Sequence, residues 1–109
     1  MDLARATYTA SSAFPSEERF GITAQMRRAA VSIPANIAEG EGRRTRGEFL
    51  NQLSIAHGSV RELETHVLIA ISLEYLDGPV GESLLNGAAE VGRLITGLAN
   101  SLKRERPDE

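Results

Sequence analysis

The chain has 109 residues, 41% hydrophobic and 25% charged, with a formal net charge of -3 and no cysteine. This length fits one domain that can bury a core without staples, and the ordinary balance of charge and hydrophobicity excludes wholesale disorder. The missing thiols exclude disulfides, thiolate metal sites and a cysteine nucleophile, and no charge-free run approaches the roughly 20 residues a membrane helix needs.

Glycine and proline punctuation divides the chain into four predicted helices. The first covers residues 2–13, where Leu3, Thr7, Ala10 and Phe14 step by four, three and four. Phe14-Pro15-Ser16 stops it, because the residue before proline disfavours helix. The second covers residues 22–43. Ile22, Met26, Ala29, Ala30, Ile33 and Ile37 recur every three or four positions and so share a face. Pro34 lies inside this pattern and predicts a kink, since it lacks an N–H and crowds the carbonyl of Ala30. A full break would leave Ile33 as a poor cap, so one kinked helix is expected rather than two.

Thr45-Arg46-Gly47-Glu48 reads as a capping box opening the third helix. Phe49, Leu53, Ala56, Val60, Leu63, Val67 and Ala70 then follow a strict 4-3-4-3-4-3 rhythm, a coiled-coil-like seam. Leu50, Leu68, Ile69, Ile71 and Leu73 widen the apolar surface, as either further core or an oligomer contact. Asp77 or Gly78 caps the fourth helix, with Pro79 suited to its first turn. That helix covers residues 80–103 and buries Leu84, Ala88, Val91, Ile95, Leu98 and Leu102. Its Gly81, Gly87, Gly92 and Gly97 are expected to scatter around the axis rather than form one close-packing face. Short connections between long helices, with no strand alternation, predict an all-α, up-down antiparallel four-helix bundle with a short first helix. One domain over residues 1–104 and a polar tail over residues 105–109 are expected.

Chemistry-bearing patterns are sparse. No Glu-x-x-His pair of the di-iron type occurs. Glu62 and His66 could meet on one helix face, while His57 and His66 are nine apart and point to opposite sides. Gly58-Ser59 sits in helical periodicity rather than on a strand-to-helix elbow. Gly40-Glu41-Gly42 follows no strand, and the only lysine is Lys103, so neither nucleotide-binding fingerprint is present. No metal or cofactor is expected, no residue set nominates a reaction, and the reading is non-enzymatic.

The charge is uneven. Residues 27–46 carry Arg27, Arg28, Arg43, Arg44 and Arg46 against Glu39 and Glu41, a window of +3 in a remainder of -6. Arginine's planar fork suits phosphate and carboxylate alike. These five are therefore candidate phosphate contacts or partners in internal ion pairs. A polar stripe, Gln25, Arg28, Ser32, Asn36, Glu39 and Arg43, shares one face of the second helix. It is a binding groove, a subunit interface or a solvent face.

Several runs are specific. Phe14-Pro15, Glu18-Arg19-Phe20-Gly21-Ile22-Thr23, Arg27-Arg28-Ala29-Ala30-Val31-Ser32-Ile33-Pro34 and Asn36-Ile37-Ala38-Glu39-Gly40 resemble the four-helix-bundle proteins encoded in bacterial 23S rRNA intervening sequences. Ile55-Ala56-His57-Gly58-Ser59, Glu62, Glu64 and Tyr75-Leu76 resemble the same family's third helix. The resemblance covers residues 14–76; the fourth helix matches only in pattern. It implies a left-handed up-down bundle and a homopentamer. The family is also similar to the accessory protein of diversity-generating retroelements, a basic pentamer thought to bind RNA and a reverse transcriptase. This chain departs in two ways. Relatives usually carry ten or more further N-terminal residues, so the family pattern is expected to fit worst at the first helix. Five copies would also carry -15, so an RNA contact needs its arginines gathered on one surface.

The expected function is a non-enzymatic, cytoplasmic homo-oligomer that binds structured RNA, or an RNA-processing partner protein, through an arginine-rich surface. No base-stacking platform is apparent, so binding would be driven by the phosphate backbone and be salt-sensitive. The alternative is a protein-interaction scaffold without nucleic acid, in which the arginines and the stripe form partner salt bridges. No membrane association is expected.

Overall fold

A computed structural model describes residues 2–104; the predicted polar tail, 105–109, lies outside the described residues. Four helices follow one another: α1 (Asp2–Ser11), α2 (Ile22–Glu41), α3 (Arg46–Ser72) and α4 (Gly78–Lys103), with a short 3-10 turn at Ser16–Glu18. No strand occurs among the described residues. Each helix packs on its chain neighbours and α1 also packs on α4, which closes an antiparallel four-helix bundle; α2 and α4 lie diagonally opposite. No helix among the described residues is long and apolar enough to cross a membrane.

The third-helix seam is the spine of the core. Leu53, Ala56, Val60, Leu63, Val67 and Ala70 are all buried, against Met26, Ala29, Ala30 and Ile33 of α2. α2 runs unbroken through Pro34, one helix rather than two. α3 opens as its sequence predicts, with Thr45 Oγ1 accepting from the Glu48 N–H at 3.1 Å. The reciprocal bond reaches one residue further back: Glu48 Oε1 accepts from the Arg44 N–H at 3.3 Å. Asp77 Oδ1 accepts from the Val80 N–H at 2.8 Å and caps α4, with Pro79 in its first turn.

α3 ends on a left-handed residue. Glu74 has φ 64°. The Tyr75 N–H donates to the Ala70 carbonyl and the Glu74 N–H to the Ile71 carbonyl, both at 2.9 Å. This is the paired-bond helix stop that usually takes glycine at its left-handed position.

The glycines of α4 are not scattered without consequence. Gly81 and Gly92 are eleven residues apart, three turns, so both face α3. A Cβ at Gly81 would meet Ile71 Cγ1 at 2.7 Å, and one at Gly92 would lie 3.6 Å from Val60 Cγ1. Gly87 faces Leu3 of α1 and Gly97 faces open space. Counting the shorter steps alone hides this eleven-residue return.

α1 is short and thinly buried. Its inward stripe is Leu3, Thr7 and Ser11, one aliphatic and two hydroxyls. Thr7 Oγ1 satisfies itself on the Leu3 carbonyl at 2.8 Å. Below α1, the chain is tied to the far end of α3. The Phe14 and Tyr75 rings lie 5.5 Å apart, and the Tyr75 hydroxyl donates to Glu18 Oε2 at 2.8 Å. That bond holds the Tyr75 proton and raises its pKa above 10.0, with burial and the Glu17 and Glu18 charges adding in the same sense.

Candidate nucleic-acid interface

The antiparallel return of α4 gathers cations that the sequence separates. α3 and α4 have 27 and 26 residues, so the end of α4 comes back level with the start of α3. Leu50 and Ser54 of α3 line one depression together with Asn100 and Lys103 of α4. Lys103 and Arg104 therefore join Arg43, Arg44 and Arg46 at one end of the bundle. Sequence reading missed these two. The nearly equal lengths of the last two helices are the signal that points to them.

This end is basic although the chain is acidic. Its five cations face Glu39, Glu41 and Glu48. The opposite end, where the α1–α2 connection meets the α3–α4 turn, carries Asp2, Glu17, Glu18, Glu74, Asp77 and Glu82 against Arg5 and Arg19. The long axis of the molecule spans 51 Å. The two ends thus lie several Debye lengths apart, about 8 Å each at physiological ionic strength, and the acidic end does not cancel the basic one.

Arg43, Arg44, Lys103 and Arg104 are exposed. Arg43 Nη2 pairs with Glu39 Oε2 at 2.6 Å, both side chains about half exposed. Such a surface pair along one helix contributes only about 0.3–0.5 kcal/mol, so a phosphate competes for it readily. A shallow depression of about 580 Å³ beside it is lined by Arg43, Thr45, Asn51 and Gln52. Arg46 is half-buried at the first turn of α3.

The remaining expected site residues lie elsewhere. Arg27 is in the second turn of α2 and turned onto α1: its Nε donates to Ser11 Oγ at 2.8 Å, its Nη2 to the Tyr8 carbonyl at 3.3 Å, and its guanidinium covers the Tyr8 ring at 4.6 Å. It fastens α1 and is set apart from the basic end. Arg28 is exposed on the outer α2–α3 seam, also away from that end. The polar stripe lines this seam. Ser32 Oγ donates to the Ala29 carbonyl at 2.9 Å and shares a 2.6 Å hydrogen bond with Ser59 Oγ of α3. Asn36 Nδ2 donates to the Ser32 carbonyl at 2.7 Å, Glu39 receives Arg43, and Gln25 is exposed. The stripe is thus in part a bond between two helices.

No group of three or more metal-ligating side chains forms among the described residues. A groove of about 810 Å³ opens between α1 and the α3–α4 turn, walled by Ala6, Ala10, Leu76 and Val80, with Arg5 and Asp77 also lining it.

The model of the 23S rRNA-intervening sequence protein family matches residues 1–97. The match extends past residues 14–76 on both sides, taking in α1 and most of α4. Among solved structures, the chain is similar to a Bacteroides thetaiotaomicron VPI-5482 protein of unknown function from the S23 ribosomal protein family. The TM-score is 0.80 at 28% identity, covering 89% of this chain and 90% of that one. No curated protein matches this chain significantly.

Proposed function

This chain belongs to the 23S rRNA-intervening sequence protein family, and from that premise we propose that it is a non-enzymatic, cytoplasmic homo-oligomer that binds structured RNA through the basic end of its bundle. The observation that carries the reading is the pooling of Arg43, Arg44, Arg46, Lys103 and Arg104 on one end of an otherwise acidic molecule. A cluster of four guanidinium forks and one ammonium fits the phosphate backbone. Only five aromatic residues occur in the chain, and none stands at this end as an exposed stacking surface. The contact is therefore made to phosphates and helix shape, not to splayed bases.

Arg27 drops out of this reading, because α1 holds it. Arg28 and the polar stripe belong to the side of the bundle and fit a subunit contact better than the RNA face.

The test is the salt dependence of binding to a structured RNA. Neutralising phosphates releases counterions, so log affinity falls with log salt in proportion to the contacts made. Replacing Arg43, Arg44 and Arg104 by Ala flattens that slope by about 2–3. Replacing Arg5 and Arg93, exposed elsewhere, leaves it unchanged. An equal slope in both triple and double variants removes the basic end from the contact. A partner recovered in pull-down without RNA, and insensitive to nuclease, supports the scaffold reading instead.

A further inference from the structure

A polar furrow runs along the outer α3–α4 seam, apart from the five cations of the basic end. His57, Arg61 and Glu64 of α3 step by four and three and form one wall. Arg93, Thr96 and Asn100 of α4 step by three and four and form the other. The furrow has a volume of about 480 Å³, within the range of about 300–1,000 Å³ that holds a small ligand. All of its lining belongs to these two helices.

Glycine makes this furrow. Gly92 is buried on its floor, where a Cβ would lie 3.6 Å from Val60 Cγ1 and 3.9 Å from His57 Nε2. The imidazole therefore lies over bare backbone. Gly97, further along α4, would place a Cβ in open space. No packing contact repays the helix propensity that Gly97 gives up, and glycine at such a point lets another molecule approach the backbone.

The walls keep unused hydrogen-bonding capacity. Thr7 and Thr65 bond back to the carbonyl one turn before them, at 2.8 and 3.1 Å. Thr96 does not, and His57, Arg93, Thr96 and Asn100 have no hydrogen-bond or ion-pair partner among the described residues. Arg61 Nη1 pairs with Glu64 Oε1 at 3.1 Å, but its side chain is 70% exposed, so an incoming anion competes for it readily. Two guanidiniums, one from each helix, thus face one carboxylate. Their planar forks match the oxygens of a phosphate. The glycine floor beside them admits a flat ring, and Thr96 and Asn100 meet its polar edge. An RNA duplex is too broad to enter a seam between packed helices, whose axes lie about 8–10 Å apart.

We propose that the α3–α4 furrow binds a small phosphate monoester of mononucleotide size. Its phosphate sits between Arg61 and Arg93, and the remainder lies over Gly92 and Gly97 against His57, Thr96 and Asn100. The site is separate from the basic end and does not rest on the RNA reading.

Equilibrium dialysis of the full chain tests it, with adenosine 5′-monophosphate, ribose 5-phosphate and adenosine as probes. Both phosphates bind saturably, one per chain, and adenosine binds at least tenfold more weakly. Arg93→Ala weakens adenosine 5′-monophosphate at least tenfold, while Arg5→Ala changes nothing. Gly97→Leu puts a side chain into the furrow without a clash: it raises the melting temperature and abolishes binding, which separates a blocked site from an unfolded one. Phosphate binding that survives both Arg93→Ala and Gly97→Leu lies elsewhere and overturns the proposal, as does adenosine binding as tightly as its monophosphate. Malonate that displaces the monophosphate as well as inorganic phosphate does makes the furrow a general anion site and overturns the phosphate assignment. A salt slope of RNA binding that falls with Arg93→Ala alone assigns the furrow to RNA and overturns the small-ligand reading.

Discussion

Two glycines of the helical spine give opposite answers to the same substitution. In an open helix interior, Gly→Ala stabilises by about 0.8–1 kcal/mol, because glycine has more backbone freedom to lose. Gly58 is such a site: it lies on the outer surface of α3 and a Cβ there would have no neighbour within 4 Å. Gly40 is not. A Cβ at Gly40 would lie 2.7 Å from Phe49 Cδ1 and 2.9 Å from Gln52 Cβ, against a comfortable carbon–carbon separation of about 3.5–4.0 Å. The Phe49 ring can swing a little, but Gln52 Cβ is fixed to the α3 backbone. Relief requires α2 and α3 to move apart by several tenths of an ångström where the last turn of α2 meets α3. Overpacking of this kind costs about 1–3 kcal/mol. After the helix-propensity gain, Gly40→Ala is neutral to about 2 kcal/mol destabilising, and it sits about 1–3 kcal/mol below Gly58→Ala. Urea denaturation followed by circular dichroism measures the gap, at one protein concentration so that assembly does not shift the midpoints. Gly40→Ala as stable as Gly58→Ala would show that the close approach of α2 and α3 is not enforced by Gly40.

Glu74→Gly removes the left-handed cost at the end of α3 and raises stability by about 0.5–1 kcal/mol, readable as a melting-temperature increase; a decrease refutes the assignment of strain to Glu74. The Tyr75–Glu18 bond gives an alkaline limit. The folded Tyr75 holds its proton above the ordinary 10.0, so its contribution is complete below pH 10 and is lost as pH rises through the raised value. Tyr75→Phe abolishes that part of the alkaline loss, and identical pH profiles for the two proteins argue against it. Arg27→Ala frees α1 before anything else: amides of residues 3–11 exchange faster while those of the α3 seam keep their protection. Uniform acceleration through both helices would mean that α1 and α3 open as one unit.

The sequence alone carried the helices. Periodicity located the α3 seam, and every member from Leu53 to Ala70 is buried; Thr45 and Asp77 announced two caps through the chemistry of their side-chain oxygens. These features are local, set within a few residues by backbone hydrogen bonding and a 3.6-residue repeat, so they can be read without a fold. Glu74 was not legible, because a left-handed glutamate carries no composition signal.

The placement of charge was decided by the tertiary structure. In sequence, Arg27 and Arg28 belong with Arg43, Arg44 and Arg46. In the bundle, α1 takes Arg27, the outer seam takes Arg28, and the return of α4 brings in Lys103 and Arg104 from nearly sixty residues away. The same folding turned Gly81 and Gly92 into one contact face and tied the polar stripe to α3 through Ser32 and Ser59. Electrostatic fields depend on distance in space, and helix lengths with chain reversal set that distance. The net -3 could therefore state how much charge the protein has, while only packing could put the basic share of it at one end.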